Sequence, residues 1–311
     1  MMAPLADTTI ALLIIAIGGW VIATTDVTRA VIGFVVYGLM LTIIWVRLAA
    51  VDVALTEAAI GGGLTGLLLL NAASRLRSAR PAPRAGGATV FAAALLSAAV
   101  SLSLAAAILV LPDAAPSLAP LAAENLERTG LGNPVAAVLF AYRALDTLLE
   151  KIVLLLALLA VWSLASNTAW TGAPRLHSAA AGGGTLGLLA RHLPPFGIVV
   201  GIYMCWIGAN EPGGAFQGGT VVAAMWLLVM VAGMRHAPAI GEARLRRILV
   251  AGPAIFVTIG LAGMVTEGSF LAYPPDYAKL LIVVIELALT LSIAAVLGML
   301  AAGPPMQEAE R

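Results

Sequence analysis

Three glutamates stand inside long apolar runs: Glu57 in VDVALTEAAIGGGLTG (51–66), Glu150 in AYRALDTLLEKIVLLL (141–156) and Glu286 in YAKLLIVVIELALTLSIAAVL (277–297). A charge held at membrane depth costs roughly a few kcal/mol, so such groups face protein or water, pair, and mark ion or proton pathways. The chemistry these carboxylates could do is to take and release a proton or a small cation.

Each site has its own surroundings. Glu57 is followed by Gly61, Gly62 and Gly63, which weaken a helix and let backbones approach closely. Its run holds no nearby cation, which suits a proton or Na⁺ relay; the alternative is a hydrogen bond to a neighbouring helix. Asp52 opens the same run and reads as an interfacial anchor or cap. In the second run Arg143, Asp146 and Glu150 are spaced three and four apart and share a helix face. Lys151 points about 100° away from Glu150 at 3.6 residues per turn. Glu150 is the deeper of the acids; the alternative is an ion-paired helix end in which Arg143 neutralises Asp146 and Lys151 snorkels to the interface. Glu286 has Lys279 two turns earlier on its face, and either pairs across helices or titrates.

A fourth stretch, IGANEPGGAFQGGTVV (207–222), reads as a tight non-helical turn built on Pro212, Gly213, Gly214, Gly218 and Gly219. Asn210, Glu211 and Gln217 are its oxygen donors. Its glycine pattern is neither a P-loop nor a dinucleotide fingerprint. His177, His192 and His236 fall in expected loops, as solvated side chains.

The elements positioning these residues are membrane helices. Of 311 residues, 61% are hydrophobic and 11% charged, against about 25% charged in soluble domains, and the mean hydropathy is +1.02. Apolar runs of about 20 residues match a hydrocarbon core of about 30 Å. About nine spans are expected, near 8–24, 28–47, 51–72, 89–111, 135–165, 194–209, 215–234, 248–266 and 279–301. The fifth is too long for one straight crossing and either tilts or begins with a broken segment. Strands are not expected, because open sheet edges cannot sit in lipid. Arginines gather at Arg75, Arg77, Arg80 and Arg84, at Arg175 and Arg191, and at Arg235, Arg244, Arg246 and Arg247. Nine spans put all three groups on one side, which the positive-inside rule makes cytoplasmic, with the N-terminus out and the C-terminus in. The opposite loops carry Asp113, Glu124, Glu127, Glu267 and Asp276.

The single cysteine, Cys205, excludes an internal disulfide and any multi-cysteine metal site. The opening MMAPLADTT, which lacks a basic n-region, argues for a retained first helix rather than a cleaved signal. Pro/Arg-rich and small-residue breaks at 74–87 and 166–184 divide the chain into modules at 1–73, 89–165 and 185–302, without a convincing repeat. No cofactor is implied, and metal or flavin chemistry would belong to partners.

These blocks also resemble a known family. DVALTEAAIGGGLTGLLLL is similar to the DxALTEAxxGxGL signature near the C-terminal end of the large subunit of Mrp-type multisubunit cation/proton antiporters. AENLERTGLGNPVAAVLFAYRALDTLLEKIVLL resembles the next part of that region, with its YRGFDTLGE-like motif. GANEPGGAFQGGTVVAAMWLLVMVAG resembles the B subunit, and VIELALTLSIAAVL its last helix. The resemblance implies an all-helical fusion of D-, E- and B-like modules, similar also to modules of energy-converting membrane-bound hydrogenases. It implies a transport subunit without a catalytic site of its own, seated in the cell membrane. Its expected partners are the lipid bilayer and larger antiporter-like subunits, with no nucleic acid. Glu57 then corresponds to the intramembrane glutamate of the ALTE motif, and Asp146 and Glu150 to the acidic pair of the second motif. With Glu286 and Lys151 they form the expected proton or cation path. This chain departs from the pattern at Leu149, where glycine is usual, and at Lys151, where an apolar residue is usual. Asn210 and Glu211 also replace the usual His-x-Ser approach to the glycine turn. A fixed positive charge beside Glu150 stands where a mobile cation or proton would otherwise, which argues against Na⁺ selectivity and keeps proton conduction open.

Overall fold

The computed structural model describes residues 2–76, 86–111, 117–165, 172–174 and 184–305. Helix α1 (Met2–Ala23) turns back into α2 (Val27–Arg47), which starts at Asp26 because the Asp26 carboxylate accepts the Arg29 amide at 2.8 Å. Arg47 at the end of α2 pairs with Asp7 near the start of α1, closing an antiparallel hairpin. Next comes a rod in three parts: α3 (Val51–Glu57), a π-helical turn over Ala58–Leu64, and α4 (Thr65–Leu76). The wide turn falls on AAIGGGL, where three glycines remove the side chains that favour ordinary α geometry.

Helix α5 (Gly87–Val110) buries none of its residues. A short α6 (Ala119–Glu124) and a 3₁₀ turn (Leu126–Thr129) follow, in what the sequence suggested was plain loop. The fifth expected span is broken. A single turn, α7 (Pro134–Ala137), capped by Asn133, runs into a π-helical segment over Val138–Tyr142. The chain kinks at Arg143 and resumes as α8 (Ala144–Ser163). The Thr147 hydroxyl donates to the Leu139 carbonyl at 2.6 Å, satisfying an acceptor at the break.

Four long helices complete the fold: α9 (Gly184–Ile207), α10 (Ala215–Val231), α11 (Ala243–Thr266) and α12 (Ala278–Ala302). Helix α9 begins ten residues before the expected start of that span and carries Pro194 and Pro195 inside it. A proline's fixed φ fits a helix, and in a membrane bundle neighbouring groups can satisfy the carbonyls it frees. His192 and Arg191, expected in a loop, therefore lie on α9, while His236 does fall in a loop, between α10 and α11. His177, Arg175, Arg77, Arg80, Arg84 and Asp113 lie outside the described residues.

Among the described residues, seven helices are long and apolar enough to cross a membrane: Leu5–Ala23, Val27–Arg47, Val51–Ser74, Gly87–Val110, Gly184–Ile207, Ala243–Thr266 and Ala278–Ala302. Two further helices match the other expected spans in position. Helix α10 is shorter, at 17 residues, and α8 carries Asp146, Glu150 and Lys151. No strand forms among the described residues.

Helix α12 is the axis of the fold, packing on α8, α9, α10 and α11. Ile282, Ile285, Leu289 and Ile293 on α12 meet Phe140, Leu148 and Phe256 in the main core. In lipid the solvent is as apolar as leucine, so such contacts depend on close fit and small residues rather than water expulsion. Gly201 of α9 and Gly218 of α10 show this: a Cβ on either would collide with the other's backbone carbonyl. The helix pair approaches at backbone distance there, which brings the turn between them against α12.

Candidate functional site

The turn between α9 and α10 is held by distant parts of the chain. Gly213 and Gly214 adopt φ of 152° and 116°, and the Gly214 amide donates to the Met204 carbonyl at 2.8 Å. The Asp52 carboxylate accepts the Gly213 amide at 2.8 Å through Oδ1 and faces Asn133 Nδ2 at 3.5 Å through Oδ2. Asn133 also donates to the carbonyls of Gly208 (3.1 Å) and Glu211 (3.0 Å), and its own amide donates to Ala209. Gln217 Nε2 donates to the Thr56 hydroxyl at 3.1 Å, tying α10 to α3. Asp52 is thus a buried latch between α3 and the glycine turn rather than an interfacial anchor. Gly218 and Gly219 belong to the first turns of α10, not to the turn itself. Asn210 accepts from Lys279 at 3.1 Å, so that lysine is directed to the turn.

Against this seam lies a cavity of about 340 Å³ whose wall includes Asp52, Thr56, Glu150, Lys151, Gln217 and Glu286. Glu286 is 1% exposed. One side of its carboxyl meets the backbone amide of Ala215, the first residue of α10, where the positive end of a helix dipole favours negative charge. Its Oε2 has no hydrogen-bond partner among the described residues. Leaving a buried polar atom unpartnered is costly, and this one stands beside the cavity.

On the wall of the same cavity, the Lys151 ammonium lies 2.8 Å from Glu150 Oε1 and 4.8 Å from the centroid of the Phe216 ring. Lys151 is 7% exposed while the Glu150 side chain is 53% exposed. This reverses the expected order: the glutamate reaches outwards and the lysine points into the bundle rather than snorkelling. Adjacent residues on a helix can still pair when both side chains bend to one side.

The remaining acids lie apart from this cavity. Asp146 is exposed and paired with Arg143, its neighbour one turn away. Glu57 does not line the cavity. It packs over Gly61, where a Cβ would collide with its Oε1, and against Gly38 of α2, where a Cβ would lie 3.3 Å from that oxygen. Among the described residues, then, three of the expected site residues, Glu150, Lys151 and Glu286, share one cavity, and Glu57 and Asp146 do not. Asn133 was not singled out by the sequence. Its signal is an Asn-Pro step just before an apolar run, which marks a helix start, but nothing local indicates that its amide reaches the glycine turn.

Apolar helices of membrane-spanning length, beside a cavity lined by ionisable side chains, define a multi-pass membrane protein. Likeness to known proteins narrows this. Residues 185–303 match a domain related to the MnhB subunit of Na⁺/H⁺ antiporter, and residues 12–78 match the MbhD family, the D subunit of MBH. The fold matches a chain in the Mrp complex from Dietzia sp. DQ12-45-1b with a TM-score of 0.73 and 25% identity, over 97% of this chain and 35% of that one. It also matches a chain of the membrane-bound sulfane sulfur reductase, an archaeal respiratory membrane complex, with a TM-score of 0.54 and 24% identity, over 68% of this chain and 97% of that one. An uncharacterised protein of Methanocaldococcus jannaschii is 31% identical over 154 residues, which is 45% of this chain and 59% of the relative. This chain therefore spans little over half of that relative and about a third of the matched Mrp chain. Its C-terminal part is thus similar to an antiporter B-type domain and its N-terminal part to an MBH D-type subunit, on a fold shared with a chain of an Mrp complex.

Proposed function

We propose that the chain is a membrane component of a multisubunit cation/proton antiporter, lending intramembrane carboxylates to a proton or Na⁺ path and bridging larger antiporter-like subunits. The observation that carries this is the cavity on whose wall the buried, half-unpartnered Glu286 of α12 and the Glu150–Lys151 pair of α8 both stand. Glu150 is the outer station, Lys151 the neighbouring charge and Glu286 the inner station. Glu57, beside the π-helical turn, extends the path towards α2, and Asp146 with Arg143 marks its mouth. Counting α8 and α10 with the seven long apolar helices gives nine crossings, N-terminus out and C-terminus in, in a prokaryotic cell membrane. Expected partners are other antiporter-like subunits.

The match of residues 12–78 to the MbhD family, of membrane-bound hydrogenase type, favours a second reading, a membrane arm coupled to redox partners. Purification of the tagged chain in mild detergent, with mass spectrometry of what accompanies it, separates the two. Antiporter-like subunits without iron–sulfur proteins support the first reading, and iron–sulfur subunits support the second. A chain that emerges alone and monodisperse contradicts both.

A further inference from the structure

The cavity holds one cation already. The Lys151 ammonium is fixed between the Glu150 carboxylate at 2.8 Å and the Phe216 ring at 4.8 Å, an arrangement in which charge pairing and the ring's quadrupole both hold it inside. The charged groups around the same cavity are Glu150 on its own helix, Asp52 from α3 and Glu286 from α12. A second positive ion entering there meets the ammonium at short range in poorly screened surroundings.

The oxygens on the wall point the same way. Both Asp52 oxygens face donors, from Gly213 and Asn133. The Thr56 hydroxyl accepts from Gln217 and donates to the Asp52 carbonyl, and the Thr147 hydroxyl is turned to Leu139. Glu286 Oε2 is the buried wall oxygen left without a partner among the described residues. A hard metal cation needs several oxygens around it at once; with Glu150 Oε1 engaged by Lys151, Glu286 Oε2 offers one, enough for a proton, and loss of the ammonium would free the Glu150 carboxylate as a further donor.

We propose that Lys151 is the specificity-determining residue of this cavity: its ammonium takes the place beside Glu150 that an alkali-metal cation would need, and Glu286 exchanges protons and not Na⁺. This rests on the carboxylate-path reading above and names the ion for it.

Dicyclohexylcarbodiimide tests it. The reagent adds across a protonated carboxyl in apolar surroundings to leave an N-acylurea, and bound Na⁺ displaces that proton and slows the reaction. The full chain in its detergent-solubilised complex is labelled at one pH, in sodium chloride or in choline chloride of equal strength, and the Glu286 peptide is followed by mass spectrometry. The expected result is equal labelling rates in the two salts for the natural chain and for Lys151→Arg, with several-fold slower labelling in sodium for Lys151→Met. Sodium protection of Glu286 in the natural chain or in Lys151→Arg would overturn the proposal, as would a Lys151→Met chain indifferent to sodium. Should Lys151→Met fail to accumulate, the other two chains still decide it. Absence of any Glu286 adduct in choline chloride would overturn the carboxylate path itself, and the selectivity with it.

Discussion

The carboxylate of Asp52 accepts a 2.8 Å hydrogen bond from the backbone amide of Gly213, 161 positions further along the chain. That bond ties the start of α3 to the turn that begins α10. The same turn presents Gly214 and the Ala215 amide to Glu286 on α12. Three helices from distant parts of the sequence are thereby set around one carboxyl. At 2.8 Å the latch is shorter than the 3.1 Å bond from Gln217 to Thr56 that also joins the ALTE-like run to the start of α10.

Loss of the latch has a definite cost. Asp52→Ala removes a charged acceptor from the Gly213 amide and is expected to destabilise the chain by about 1.5–3 kcal/mol, the usual worth of a hydrogen bond to a charged group. Asp52→Asn keeps an oxygen for that amide and should lose less. Thermal unfolding of the two purified variants in detergent reads the difference, and equal losses would mean that the carboxylate is not what holds the turn.

Gly214 is a second sensitive point. Its φ of 116° and ψ of −171° lie in a region open essentially to glycine alone, and a Cβ there would stand 3.1 Å from Glu286 Oε1. Gly214→Ala is expected to cost about 1–3 kcal/mol, the range for a residue forced into such backbone. Gly87→Ala, at the open start of α5 where a Cβ meets nothing within 4 Å, should be neutral or slightly stabilising. Denaturation midpoints of the pair test the contrast.

The Arg143–Asp146 pair should matter little to stability. Its side chains are 71% and 53% exposed, and exposed ion pairs contribute about 0–1 kcal/mol. Arg143→Ala and the charge-swapped double variant should both unfold within about 1 kcal/mol of the natural chain. A larger loss, recovered by the swap, would show the pair to be structural.

Tyr273, in the loop between α11 and α12, has a buried hydroxyl with no partner among the described residues. Burial pushes its phenol above the ordinary value of 10.0. Because the folded value is the raised one, the stability this group contributes is present below the unfolded value and is lost as pH rises above it. Tyr273→Phe, which also removes the unpartnered hydroxyl, should leave neutral-pH stability unchanged or improved. It should also move the alkaline unfolding midpoint to higher pH. An unmoved midpoint would mean that the hydroxyl finds a partner or water.

Most of the helices were legible because apolar length is a strong signal: α1, α2, α11 and α12 lie within a few residues of their expected spans, apart from early starts at α1 and α11. The break in the fifth span was legible as an excess of length, though not its position, since the kink at Arg143 depends on packing that residue types do not record. Pro194 and Pro195 obscured the true start of α9, because proline reads as a stop even where it is tolerated. Residue type singled out Glu150, Glu286 and Lys151, which the structure brings to one cavity, whereas helical spacing misjudged the pair at 150 and 151. Spacing describes where Cβ atoms point, and long side chains bend towards charge. Asn133 and the depth of Asp52 were beyond reach, since both depend on contacts across more than 70 residues.

In the proposed function, Glu286 carries the transported charge in the cavity between α8 and α12. The most direct measurement is proton exchange in everted membrane vesicles bearing the intact complex, comparing Glu286→Gln with the natural chain at matched complex levels. The expected result is that exchange falls to the background of vesicles lacking the complex while assembly is unchanged. Undiminished exchange by a fully assembled Glu286→Gln complex would contradict it.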